Sequence, residues 1–182
     1  MKEIKINAPF FEEITTKLRA GDMVYITGTV YSARDAAHKR LYEAVLAEEE
    51  LPFPLRNGTI YYLGPTLARE GRVIGSAGPT TSSRMDKYTP ALLQKGLKAM
   101  IGKGRRSENV KSSIIENKAV YLAATGGAGA LLSGCIKNSK TIAYADLGTE
   151  AIREMYVEDF PCIVICDAQG NDLYDMVLNQ SL

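Results

Sequence analysis

Residues 23–50 read MVYITGTVYSARDAAHKRLYEAVLAEEE, and the order of patterns within them decides the fold class. Met23 to Val30 are β-branched and aromatic, the composition of a buried strand. Farther on, Leu41 and Val45, and Tyr42 and Leu46, recur at helical spacing. The stretch therefore reads as strand, polar loop and amphipathic helix. Toward the N-terminus, KEIKIN (2–7) alternates as a half-buried strand does, and FFEEITTKLRAGD (10–22) reads as a short helix ending at Gly21.

Toward the C-terminus, Pro52 and Pro54 stop the helix, TIYYLGPT (59–66) is a further strand, and RVIGSAGPTTSSRMD (72–86) opens as a strand and becomes a glycine- and hydroxyl-rich loop. Thr89 and Pro90 supply an N-cap and first-turn proline for PALLQKGLKAM (90–100), a predicted helix with Leu93, Leu97 and Met100 or Ile101 on one face. After GKGRR (102–106), Ser107 caps a helix over SENVKSSIIENK, and AVYLAA (119–124) is a strand. TGGAGALLSG (125–134) is a second glycine-rich connection, TIAYA (141–145) a strand, and GTEAIREMYV (148–157) a helix capped by Thr149. PCIVICDAQGNDLY (161–174) is a buried strand with a turn at Gly170 and Asn171. Residues 1–182 are expected to be a single α/β domain with mixed sheets, layered as sheet, sheet and helix.

With 182 residues the chain can bury a real core, and its net charge of +1 gives no push toward nucleic acid or anionic membranes. No apolar run approaches the roughly 18 residues of a spanning helix, and MKEIKINAPFFEE lacks the order of a signal peptide, so a cytoplasmic protein is expected. Cys135, Cys162 and Cys166 are odd in number and lack CxxC spacing, and His38 is the only histidine. Neither a disulfide framework nor a metal ligand set is expected from this chain.

Unusual chemistry gathers in three loops: SARDAAH (32–38), GPTTSSRMD (78–86) and GKGRR (102–106). Each follows an apolar segment and precedes a helix pattern, where new helix N-termini favour anions. Arg34, Arg84, Lys103, Arg105 and Arg106 are the available cations, and an arginine fork holds a carboxylate by two parallel bonds. Other readings stand beside this one. GKGRR is equally a solvated run or a phosphate patch, although GKG lacks the GxxxxGK[ST] pattern. Thr80 and Thr81 follow a Gly-Pro turn, where a hydroxyl often does no more than cap a turn or helix. His38 suits acid–base work by its pKa but also packing or orienting, and Asp35 either pairs with an arginine or caps the helix.

Taken together, ARDAAHKR, GSAGPTTSSRMD, MIGKG and EMYVEDFPCIVICDAQGNDLY resemble, in order and interval, the C-terminal domain or separate beta subunit of class I fumarases and L(+)-tartrate dehydratases. The resemblance implies a swivelling β/β/α fold and a hydro-lyase that reversibly hydrates fumarate to malate, or dehydrates tartrate to oxaloacetate. It also implies a [4Fe-4S] cluster held by three cysteines of an alpha subunit, with one iron open to substrate, and an alpha2beta2 assembly with a beta-beta contact. By motif, Thr80 looks like the hydroxyl that exchanges the carbon-bound proton, with an alpha-subunit aspartate to ionise it. Arg34, Arg84 and Lys103 look like the grips on a small dicarboxylate, while His38, Asp35 and Thr81 are neighbours with orienting roles. The chain has KGRR where single-chain fumarases read KGNR, so Arg105 replaces an asparagine. Two competing expectations are a non-catalytic anion- or phosphate-binding module and an orphan structural subunit.

Overall fold

The computed structural model describes residues 3–124 and 128–180. Seven strands and six α-helices run along these residues, alternating except that β7 follows β6 directly: β1 (Glu3–Asn7), α1 (Glu12–Thr15), β2 (Met23–Ser32), α2 (Asp35–Leu46), β3 (Thr59–Tyr61), α3 (Thr89–Gln94), β4 (Ala99–Gly102), α4 (Glu108–Glu116), β5 (Val120–Ala124), α5 (Gly129–Cys135), β6 (Ile136–Ala143), β7 (Ile152–Cys166) and α6 (Leu173–Gln180). The strands form one mixed sheet in the order β1-β2-β3-β4-β5-β7-β6. From β1 through β5 neighbours run parallel, whereas β7 runs antiparallel to both β5 and β2. That second pairing of β7 closes β2, β3, β4, β5 and β7 into a ring of five strands.

Two cores follow from the period-2 alternation of side chains along these strands. Val24, Ile26, Val30, Tyr61, Ile101, Leu122 and Val157 belong to one, together with Phe10, Leu18 and Phe160. Their strand neighbours Tyr31, Ile60, Tyr62, Met100 and Tyr121 belong to the other, packed with Leu41 and Val45 of α2, Leu92 and Leu93 of α3, and Val110 and Ile114 of α4. Parallel strands covered on both faces read as nearly continuous apolar runs, which is how IYYL and AVYLAA appear. The mixed α/β expectation holds. Each fully buried leucine, such as Leu41 or Leu92, contributes about 1.5–3 kcal/mol relative to exposure.

Local departures from the sequence reading have identifiable causes. α1 is a single turn rather than a helix reaching Gly21. The helix expected over 90–100 stops at Gln94: Gly96 takes a φ of 101°, and Ala99–Gly102 enters the sheet as β4. Tyr88, not Thr89, is its N-cap residue, and the Thr89 hydroxyl donates to the Met85 carbonyl at 2.9 Å. No strand forms at 72–75; Ile74 is buried from a loop. Within the second glycine-rich connection, residues 125–127 lie outside the described residues and 129–135 are helical.

The largest correction falls at 148–157, expected as a helix. Residues from Ile152 onward are β7, paired with both β2 and β6. Ile152 and Met155 are three apart, but Met155 and Val157 face inward while Glu154, Tyr156 and Glu158 face outward, a strand alternation that the ladder partners enforce. Lys2, the first residue of the expected N-terminal strand, lies outside the described residues, and β1 begins at Glu3. None of the helices among the described residues is long and apolar enough to cross a membrane.

Candidate functional site

Arg34 follows β2, Thr80 is tied to the end of β3, and Lys103 follows β4, so the three motif loops meet at the carboxyl ends of three adjacent parallel strands. Ligands of open α/β sheets collect at such strand ends. The Thr80 amide donates to the Tyr62 carbonyl at 2.8 Å. Thr81 forms a parallel bridge with Lys103, the Ser82 amide donates to the Lys103 carbonyl at 2.9 Å, and the Lys103 amide donates to Ser82 Oγ at 3.0 Å. Tyr121 Oη lies 2.8 Å from Ser82 Oγ and from the Gly104 carbonyl, pinning both loops from below.

Asp35 joins the first loop to the second. Arg84, in the 3-10 turn Ser82–Met85, donates from Nε to Asp35 Oδ1 at 2.8 Å and places Nη2 2.8 Å from Oδ2, an ion pair in which Oδ1 alone accepts a hydrogen bond. Arg34 lies beside it, its Nε 4.0 Å from Asp35 Oδ2 and 3.1 Å from Glu150 Oε1. The Arg34 guanidinium is laid against Gly64: a Cβ there would sit 2.6 Å from Cζ, so a larger residue would displace the guanidinium from this place. Arg34, Asp35, Thr80, Thr81, Arg84 and Lys103 are thus brought together. Lys103 is exposed and makes no ion pair among the described residues.

The other basic residues of GKGRR turn elsewhere. Arg105 reaches Asp175 of α6 at 2.7 Å and lies over the Tyr174 ring. Arg106 is buried: Nε donates to Asp86 Oδ1 at 2.7 Å, Nη2 to Thr89 Oγ1 at 2.8 Å and Nη1 to Tyr62 Oη at 3.2 Å, with the Tyr121 ring 4.8 Å away. No basic patch forms from this run.

His38 is completely buried under the Arg34–Asp35 turn. Its Nδ1 is 3.1 Å from the Arg34 carbonyl, which can only accept, so Nδ1 carries the hydrogen and the unpartnered Nε2 is bare. Burial pushes this imidazole from 6.5 down to about 4, reinforced by the charge of Arg106 and opposed by the Arg34 carbonyl and Asp35. Above pH 6.5 the residue is neutral folded or unfolded. Between 6.5 and about 4 the unfolded chain takes up a proton that the folded chain refuses, so stability falls as pH falls. Urea unfolding should show about 2 kcal/mol of this loss between pH 7 and 5, absent from His38→Gln; an equal loss in that variant would assign it to other groups.

The family described as Fumarase C-terminus matches residues 1–177. The chain belongs to that family. "Fumarate hydratase class I, anaerobic" of Escherichia coli (strain K12) is 37% identical over 183 residues, covering 98% of this chain and 33% of the relative. "Fumarate hydratase class I, aerobic" of the same organism is 40% identical over 154 residues, 84% of this chain and 28% of the relative. "Putative L(+)-tartrate dehydratase subunit beta" of Methanocaldococcus jannaschii is 38% identical over 167 residues, 88% of this chain and 86% of that one. The chain therefore spans about a third of the length of the fumarate hydratases and most of the length of the beta subunit. Its similarity is to hydro-lyases throughout.

Sequence reading of this Fumarase C-terminus chain missed Glu150, because a lone glutamate in an expected helix carries no motif. The join that Ser82 and Tyr121 make between two loops is visible only once β4 and β5 are paired.

Proposed function

We propose that the chain is the substrate-gripping part of a hydro-lyase that interconverts fumarate and malate, or dehydrates L(+)-tartrate to oxaloacetate, and that it works with an alpha subunit. The observation that carries this is the convergence of Arg34, Thr80, Arg84 and Lys103 at one set of parallel strand ends, in a member of the Fumarase C-terminus family. A dicarboxylate needs two cationic grips. Arg34 supplies one and Lys103, with the part of Arg84 not held by Asp35, supplies the other. Thr80 exchanges the proton on carbon while the oxygen function leaves or adds at the neighbouring carbon. A threonine hydroxyl is a weak base until its own proton is removed. The Thr80 hydroxyl has no hydrogen-bond partner among the described residues, which favours a base supplied by the partner.

An iron-sulfur cluster fits the alpha subunit better than this chain. Cys162 and Cys166 are buried in different cores, and burial raises the pKa of both thiols, the reverse of what a thiolate ligand needs. Among the described residues no group of three or more His, Cys, Asp or Glu is arranged to hold a metal. Nor does the phosphate-module reading gain from GKGRR, since Arg106 is spent inside the protein and Arg105 on Asp175.

Anaerobic mixing of the chain with a cluster-loaded alpha subunit, followed by a fumarate, malate and tartrate panel, tests the reading. The chain alone should be inactive and the mixture should turn over at least one of the three. Inactivity of a stable, cluster-loaded complex toward all of them would overturn it.

A further inference from the structure

We propose that Glu150 is a positioning residue for the dicarboxylate site: it fixes the Arg34 guanidinium through Nε and so leaves both terminal nitrogens turned toward substrate. The inference rests on the hydro-lyase reading for what Arg34 grips, and on geometry for how Arg34 is held. Glu150 Oε1 lies 3.1 Å from Arg34 Nε, and the same oxygen accepts from the Ala36 amide at 3.4 Å. Arg34 is the N-cap residue of α2 but offers no side-chain cap, so a carboxylate from 116 residues away takes that place.

One oxygen thereby ties the start of α2, the Arg34 side chain and the turn Ala145–Glu150 together. The guanidinium lies against Gly64, in the space that a Cβ there would fill. Neither terminal nitrogen of Arg34 has a hydrogen-bond partner among the described residues. Contrast Arg84, whose Nε and Nη2 are both engaged by Asp35. A guanidinium held by Nε alone presents its end, with two parallel N–H groups, to an incoming carboxylate. Pre-ordering it removes part of the entropy that a free arginine side chain would lose on binding.

Charge and orientation predict opposite signs for the same substitution. Removing a carboxylate beside an anion site should tighten anion binding if Glu150 acts only through its charge. If it orients Arg34, the loss should weaken binding, and Glu150→Gln, which keeps an acceptor for Nε, should fall between wild type and Glu150→Ala.

Two readouts keep the residue's role separate from the reaction. In the 182-residue chain, the Arg34 Nε–Hε signal, assigned by its disappearance in Arg34→Lys, should be ordered in wild type, less so in Glu150→Gln and mobile in Glu150→Ala; succinate affinity by NMR titration should drop in the same order. In the complex with the alpha subunit, KM should rise about tenfold for Glu150→Ala with a smaller change in kcat, as expected for lost uniform binding. Unchanged Nε order, or succinate binding that holds or tightens in Glu150→Ala, would overturn the proposal, as would lost thermal stability with KM unmoved. If the wild-type complex turns over none of the acids, the hydro-lyase reading fails, and the Nε and succinate measurements still decide Glu150.

Discussion

Thr80→Ala should lower kcat in the reconstituted complex by about 10²–10⁴-fold, the usual contribution of a positioned acid or base. The loop should survive the change, because Thr80 is anchored by its backbone amide to the Tyr62 carbonyl at 2.8 Å and by its neighbours Thr81 and Ser82 to the Lys103 strand end. On the proposed reading Arg34 and Lys103 hold the carboxylates, so substrate affinity should change little. Thr80→Ser keeps the hydroxyl and should recover much of the rate, whereas Thr80→Val keeps the shape and should not. Steady-state kinetics on the three variants separates the cases, and turnover in Thr80→Ala within about threefold of wild type would exclude a proton-transfer role.

Arg106→Ala should destabilise the chain by about 3–5 kcal/mol, the cost of breaking a buried ion pair from one side. Its side chain is fully buried, and it links Asp86, Thr89 and Tyr62 between two tyrosine rings. Asp86 would keep only the Ser107 amide, at 2.7 Å, and a cavity would open beside Met100. A loss of that size is a large share of a domain's typical stability of about 5–15 kcal/mol. Urea unfolding measures it. Arg105→Ala, next in sequence but exposed and paired with Asp175, should leave the midpoint near wild type. Equal effects for the two would mean that Arg106 is not the buried anchor described.

The contrast between these neighbours shows where sequence reading stops. GKGRR holds three cations, of which the resemblance singled out Lys103, and only the folded chain shows Arg106 turned inward to Asp86, Arg105 to Asp175 of α6 and Lys103 at the strand ends. The alternation of strands and helices was legible from MVYITGTV and the Leu41–Val45 spacing because those signals are local. Ser107 as the cap of α4 was legible for the same reason, its Oγ accepting from Val110. By contrast, GTEAIREMYV contains good helix formers and an apolar spacing of three, and its strand state comes from two distant partners, β2 and β6. PALLQKGLKAM kept its helical period past Gly96 although the chain had already turned. At the candidate site the grouping of Arg34, Asp35, Thr80, Arg84 and Lys103 was suggested by motif order. An arginine partner for Asp35 was one of two readings of that residue, but that the partner is Arg84, and that Glu150 holds Arg34, was not legible, because each contact spans many residues without a local pattern.

A ring whose fifth strand, β7, pairs back onto its first, β2, has no free edge, so the strand ends bearing Arg34, Thr80 and Lys103 form part of one continuous rim. The residues at that rim share one hydrogen-bonded base. Exchanging side chains at the rim is then a direct way to change the size of acid it accepts, because the strands beneath keep their places in the ring. On the proposed reading the grips are then set at fixed spacings by the strands they follow, as teeth are set along one jaw.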